Sequence, residues 1–455
     1  MNTEKGKIID KGFYNKLFLI AVPIVIQNFI ASALNTVDTV MIGAVGEVEI
    51  ASVGIANQFF FLFTIILFGI TSGCAVFISQ FWGKKDIKNI KRVLGLQLII
   101  SVFIALVFTL AAVIFPQGII SIFNKDGNVV TSGSQYIVIV AFSYAFTAVT
   151  FSYAASLRGI ENSKIPMLVS AFALICNTFL NWVFIFGNLG SPAMGVQGAA
   201  LATLIARILE AVLMIYYVYH IRSPLAAKFK ELIDLTSEFS LKILKKGLPV
   251  LLNESCWGLG IVMYNIVYGR IGAQATAAMQ INNTITNLFM VVIFGVSNAC
   301  MVIIGNRVGA QEYESARSYS RKFIKLSIVI GVLIAAGISL FAPFILSFFN
   351  ISQLVYDYTR NILYITAAVM CFRTFNLVMI VGILRGGGDT KAAFYIEAST
   401  MWFIGVPLSM IAAFILGMPV YAVAALSMLE EIAKAILGYY RFRSGKWINN
   451  LVHNM

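Results

Sequence analysis

Charge is what this sequence has least of. Only 12% of its 455 residues are Asp, Glu, Lys or Arg, against about 25% in soluble domains, so a water-soluble globular protein is excluded. Histidine is nearly absent, with His220 and His453 alone, which excludes a His-rich metal centre. The five cysteines (Cys74, Cys176, Cys256, Cys300, Cys371) all lie in apolar runs without C-x-x-C spacing, and read as buried thiols. There is no G-x-x-x-x-G-K-[ST] phosphate loop, no H-E-x-x-H and no G-x-S-x-G. The polar segments are too short for a nucleotide-binding domain. An ATP-driven pump or a hydrolase is therefore not expected, and no cofactor is called for. "GGGDT" (386–390) reads as a tight turn.

What is present is hydrophobicity: 59% of residues are apolar and the mean hydropathy is +0.87. The apolar residues come in runs of about 20–30, the length an α-helix needs to cross about 30 Å of hydrocarbon. A membrane barrel would alternate over about 10 residues per strand instead. The expectation is an all-α integral membrane protein with twelve spans, over 15–43, 50–82, 92–115, 129–157, 164–187, 194–220, 242–269, 275–306, 322–349, 352–384, 391–416 and 420–440. The start carries Lys5, Lys7, Lys11 and Lys16 and no clear cleavage site, so the first span is expected to stay as an anchor. Assigned to alternating sides, 27 of the 33 Lys and Arg fall on the side of the termini. The positive-inside rule then puts both termini in the cytoplasm of a multi-pass cell-membrane protein. The same distribution, between the apolar runs, excludes nucleic acid as the partner of the +13 net charge.

The chain repeats itself. At a shift of 226 residues Pro23 meets Pro249, Gly43 and Gly46 meet Gly269 and Gly272, and Cys74 and Gly83 meet Cys300 and Gly309. "LRGIENSK" (157–164) meets "LRGGGDTK" (384–391) at a shift of 227. Six spans per repeat is an even number, so the repeats are parallel. The expected division is an N-terminal six-helix bundle over 1–220, a cytoplasmic linker over 221–241 and a C-terminal bundle over 242–455, around a central cleft suited to alternating access. Asp38 meets Tyr264 and Glu254 meets Asn28, so the polar residues are those the halves do not share.

These features resemble the multidrug and toxic compound extrusion (MATE) transporters over essentially the whole chain. The resemblance rests on the duplicated spans, on "VDTVMIGAVG" (37–46), "QFWGKKD" (80–86), "NTFLNWVFIFG" (177–187), "GVQGAALAT" (195–203) and "LRGGGDT" (384–390). It implies export of small organic compounds, often cationic, in exchange for Na⁺ or H⁺. A lipid-linked sugar flippase of the same broad superfamily is the alternative, but its anionic cargo calls for several basic residues in the spans. A monomer surrounded by membrane lipid is the expected working unit.

Asp38 is the conspicuous residue, since an ionised carboxylate in apolar surroundings is costly unless paired, solvated or protonated. Counted inward from Gly43, Gly187 and Gly195 at about 1.5 Å per residue, Asp38, Asn181 and Thr203 fall at one depth. Asn177 is one turn from Asn181 on the same face. One carboxylate among neutral oxygens suits a monovalent hard cation such as Na⁺, or a proton, because leaving water disfavours the charged form. The resemblance implies that Asp38, Asn177, Asn181 and Thr203 bind the coupling ion, although some relatives have an acid at the position of Asn181. Glu254, beside Trp257, suits an organic cation through charge and ring face, and Asn283, Glu397 and Arg373 complete the expected substrate cleft. Arg373 is expected to pair with Glu254 or Glu397. Arg207 with Glu210 and Glu431 with Lys434 are i,i+3 pairs that leave Glu430 over. Pro23 and Pro407 are the expected hinges.

Overall fold

In lipid no water satisfies backbone polar groups, so long apolar runs close their hydrogen bonds internally as helices. In the computed structural model most of the chain is helical, and no strand occurs among the described residues. Backbone is described for residues 2–349, 351–453 and 455, and side chains from residue 12 onward, Asn35 excepted. The first to third spans are Asn2–Gly43, Glu47–Lys84 and Ile87–Ile114. The fourth is a pair, Gly127–Ala141 and Ser143–Gly159, bent by 49° where a single helix was expected. At the bend the Ser143 hydroxyl donates to the Val140 carbonyl at 2.6 Å, competing with the backbone ladder. The fifth and sixth are Lys164–Phe186 and Gly195–His220.

The second half follows with Ser237–Ile271, Ala273–Gly309 and Tyr313–Leu346 as the seventh to ninth spans. The tenth, Gln353–Leu377, runs on into a π-helical stretch, Val378–Leu384. The eleventh starts as Thr390–Thr400 and contains π-helical Met401–Gly405 and Ile411–Ile415 around Val406–Met410, which holds Pro407. A proline lacks the N–H that the regular ladder needs, and a change of helical register accommodates it. Among the described residues ten helices are long and apolar enough to span a membrane, or eleven with the bent pair. The interval 420–440 is divided into Val420–Ser427 and Leu429–Arg443, the second carrying buried charge.

Two compact units emerge. One comprises Val22–Trp82 and Asp86–Leu244, the other Met1–Ala21, Gly83–Lys85 and Lys245–Met455. The chain thus passes from one unit to the other inside its first helix, between Ala21 and Val22, beside Pro23. Proline donates no backbone hydrogen bond, so the Leu19 carbonyl loses its helical partner there. Within the first unit, the core gathers Phe63, Tyr144, Leu67 and Ile137, with Phe63 stacked on Tyr144 at 4.9 Å. Large apolar side chains such as Phe103, Ile175, Leu333 and Phe403 stay exposed, as a lipid-facing surface requires.

Candidate coupling site and buried charge clusters

The fifth and sixth spans approach closely because small residues line their seam. A Cβ at Gly198 would run into the Phe184 carbonyl, and Ala199, Ala200 and Ala202 are buried beside it. The fifth span ends at Gly187, whose φ of +74° is left-handed and cheap only for glycine. This packing brings together the polar residues of the first unit.

Asn181, fully buried, donates from Nδ2 to Asp38 Oδ1 at 2.5 Å and to Asn177 Oδ1 at 3.2 Å. Asn177 in turn donates to Thr203 Oγ1 at 3.4 Å. The four residues expected from sequence therefore form one hydrogen-bonded chain across the first, fifth and sixth spans. Buried Tyr136, from the fourth span, adds its hydroxyl beside Thr203. Asn181 Oδ1 is buried without a hydrogen-bond partner. Together with the oxygens of Asp38, Asn177 and Thr203 it makes an oxygen-rich set whose chemistry fits a small monovalent cation.

A second chain lies in the same unit. Arg207 Nη1 pairs with Glu210 Oε2 at 2.8 Å, Ser170 Oγ donates to Glu210 Oε1 at 3.0 Å, and Gln27 Nε2 donates to Ser170 at 3.1 Å. The Arg207 guanidinium is also within electrostatic reach of Asp38. Asp38 and Glu210 thus face one base, and the cluster carries one acid in surplus.

In the second unit the charges are arranged differently from expectation. Glu254 Oε1 meets Arg385 Nη2 at 2.6 Å, and Arg385 is 1% exposed. With the Asn253 amide turned to its bonded orientation, the Asn253 oxygen accepts from the same guanidinium at 2.6 Å. Glu254 is therefore neutralised by Arg385 and not by Arg373, because the helix of the tenth span runs on past residue 384, where the expected span ended, and carries Arg385 with it. Glu397, expected to line an open cleft, is buried and takes Lys434 at 2.8 Å. Arg373 pairs with neither; it lies 3.8 Å from Glu431, which also accepts from Asn376 Nδ2 at 2.7 Å. Lys434 reaches Glu431 at 3.9 Å and Glu430 at 4.0 Å, and Tyr264 donates to Glu430 at 2.8 Å. Three acids face two bases, again a surplus of one.

Trp257 is one-third exposed, and Asn283 is exposed while its neighbour Asn282 is buried against Thr366 at 3.1 Å. Tyr136 and the buried role of Arg385 escaped the sequence reading, and Lys434, expected to pair with Glu431, makes its shortest contact with Glu397 instead. For Tyr136 no signal was available.

A family model described as MatE matches residues 23–183 and 249–411, two segments whose starts lie 226 residues apart, as in the internal repeat. An uncharacterized transporter YisQ of Bacillus subtilis is 26% identical over 98% of this chain and 97% of its own. A probable multidrug resistance protein NorM of Thermotoga maritima is 26% identical over 95% and 92%. A crystal structure of MATE in the bent conformation matches with a TM-score of 0.86 at 20% identity, covering 95% of this chain and 96% of that one. An outward-facing multidrug resistance MATE family transporter of the MOP superfamily gives the same TM-score, identity and coverage. With the family model covering most of both repeats, the chain belongs to the MatE family and is a membrane transporter, not an enzyme.

Proposed function

We propose that this protein is a multidrug efflux transporter of the cell membrane that exports amphipathic organic compounds, cations above all, in exchange for an inward-moving proton or Na⁺. The observation that carries the proposal is the surplus acid in the first unit: Asp38, held by Asn181 next to an unsatisfied buried oxygen. A surplus negative charge away from water is unfavourable until a cation occupies it. Loading and unloading that cation gives the two states an antiporter alternates between. In this reading Asp38 supplies the charge, Asn181 Oδ1 and Thr203 supply neutral oxygens, and Asn177 orients Asn181. Both units keep one acid more than base in their clusters, and this favours cationic over anionic cargo. Glu254, neutralised by Arg385, positions the seventh and tenth spans instead of meeting the cargo. Trp257 remains the aromatic available for a cationic ring system.

The termini lie in the cytoplasm, as the Lys and Arg distribution indicates, and the transporter works as a monomer in lipid by alternating access. Pro23, at the passage between units, is the hinge. The test is transport by the wild-type protein in proteoliposomes under a Na⁺ gradient alone and then a pH gradient alone, with ethidium and an anionic dye of similar size. Gradient-driven ethidium movement in one of the two conditions, without dye movement, is the expected result. Preference for the anionic dye, or no response to either gradient, would refute it.

A further inference from the structure

The two repeats treat one equivalent helix face differently. In the first unit the start of the third span is basic, and the segment that follows the sixth span lies across it. Lys91 Nζ donates to Glu231 Oε1 at 2.9 Å, Lys88 meets Asp234 at 3.5 Å, and a Cβ at Gly95 would strike the Leu232 carbonyl. An acid-bearing peptide thus covers that face. At the repeat shift of 226, Lys91 becomes Arg317, Gly95 becomes Arg321 and Ile99 becomes Lys325. These three stand four residues apart, on one face of the ninth span. With Arg443, Phe442 and Trp447 from the end of the chain they line a cavity of about 680 Å³. Trp447 is buried and stacked on Phe442 at 5.7 Å, which gives the cavity a firm aromatic wall.

Among the described residues no peptide brings acids here. Arg317 pairs with Glu314 at 2.9 Å, itself 86% exposed. Among the described residues no carboxylate pairs with Arg321, Lys325 or Arg443. Four cations around one concavity repel one another and call for a polyanionic or phosphate-bearing ligand, which guanidinium forks bind well. One turn further along the same helix face come Ile328, Val329 and Val332, each about half exposed. A basic pocket that opens onto an apolar strip at the polar end of a membrane helix has both halves of a phospholipid site.

We propose that this pocket binds an anionic phospholipid, its phosphate on Arg317, Arg321, Lys325 and Arg443 and its acyl chains along Ile328 and Val332. By the sidedness proposed above this lipid sits in the inner leaflet; the binding itself does not depend on that or on the coupling site. Native mass spectrometry of the full-length protein released from detergent, with phosphatidylglycerol or phosphatidylcholine added, is the test. Retention of phosphatidylglycerol and not phosphatidylcholine is expected. R321Q/K325Q should cut that retention about 25-fold, from about 5-fold for each cation removed, and R321K/K325R should keep it. K164Q, an exposed lysine on the same predicted side, should leave it unchanged. Equal retention of the two lipids, an unaffected R321Q/K325Q protein, or an equal loss in K164Q would overturn the proposal. Displacement of the lipid by equimolar inorganic phosphate would also overturn it, by assigning the pocket to a free anion.

Discussion

Lys434 should be the most stability-sensitive charge in the second unit. Its ammonium, 4% exposed, serves Glu397 at 2.8 Å, Glu431 at 3.9 Å and Glu430 at 4.0 Å. Lys434→Met keeps the volume of the stem but leaves three carboxylates facing Arg373 alone. Breaking a buried ion pair by removing one partner costs about 3–5 kcal/mol, and here the lost partner is shared by three acids. Glu430→Gln acts oppositely. It removes the surplus charge, and the Gln carbonyl still accepts from Tyr264, so a change of no more than about 1 kcal/mol is expected. Adding Glu397→Gln to Lys434→Met should restore part of the loss, because the two residues act as one unit. The assay is denaturant unfolding of the full-length protein in a mild detergent, followed by tryptophan fluorescence. If Lys434→Met stays within about 1 kcal/mol of wild type, or Glu430→Gln costs as much as Lys434→Met, then counting charges in this cluster does not explain its stability.

Three further outcomes follow from the same geometry. Pro23→Ala restores a helical hydrogen bond where the chain passes between units, and should lower turnover more than ethidium affinity; equal losses in a transport and a binding assay would count against a hinge. Gly95→Val drives a side chain into the Leu232 carbonyl, and should displace the segment around Phe229–Leu232, seen as faster amide exchange there and in no other polar segment. Glu231, outside the spans, is held below its ordinary value of 4.5 by the Lys91 ammonium, with the Lys228 N–H assisting. A carboxyl depressed on folding stabilises at higher pH, and that contribution fades as pH falls below 4.5. Amide protection around Phe229–Leu232 should therefore fall on acidification in wild type but hardly change in Glu231→Gln.

The helical fold was legible because lipid leaves few alternatives: apolar runs of span length must close their own hydrogen bonds. The Asp38 chain was legible for a related reason. Helical rise converts sequence distance to depth, and Asp38, Asn177, Asn181 and Thr203 each lie a countable distance from a glycine at a helix end. The second unit resisted that logic. Glu254, Glu397 and Arg373 were visible as charges, but partner choice depends on helix rotation, and the tenth and eleventh spans contain π-helical stretches that shift rotation by a residue each. The expected tenth span ended at 384, one residue short of Arg385, whereas Arg385 is a buried side chain still within the helix. The bend between Ala141 and Ser143 was likewise hidden, since neither proline nor glycine marks it.

The central claim is that the charge of Asp38 couples ion entry to export. Asp38→Asn tests it most directly, being nearly isosteric and able to keep a hydrogen bond to Asn181. The measurement is ethidium transport in proteoliposomes under whichever gradient drives the wild type, together with ethidium binding to the same preparation. Gradient-driven transport that drops to the passive leak, with binding within a few-fold of wild type, is the predicted result. Transport at the wild-type rate would contradict the account and leave Asp38 as a structural polar contact of the first, fifth and sixth spans.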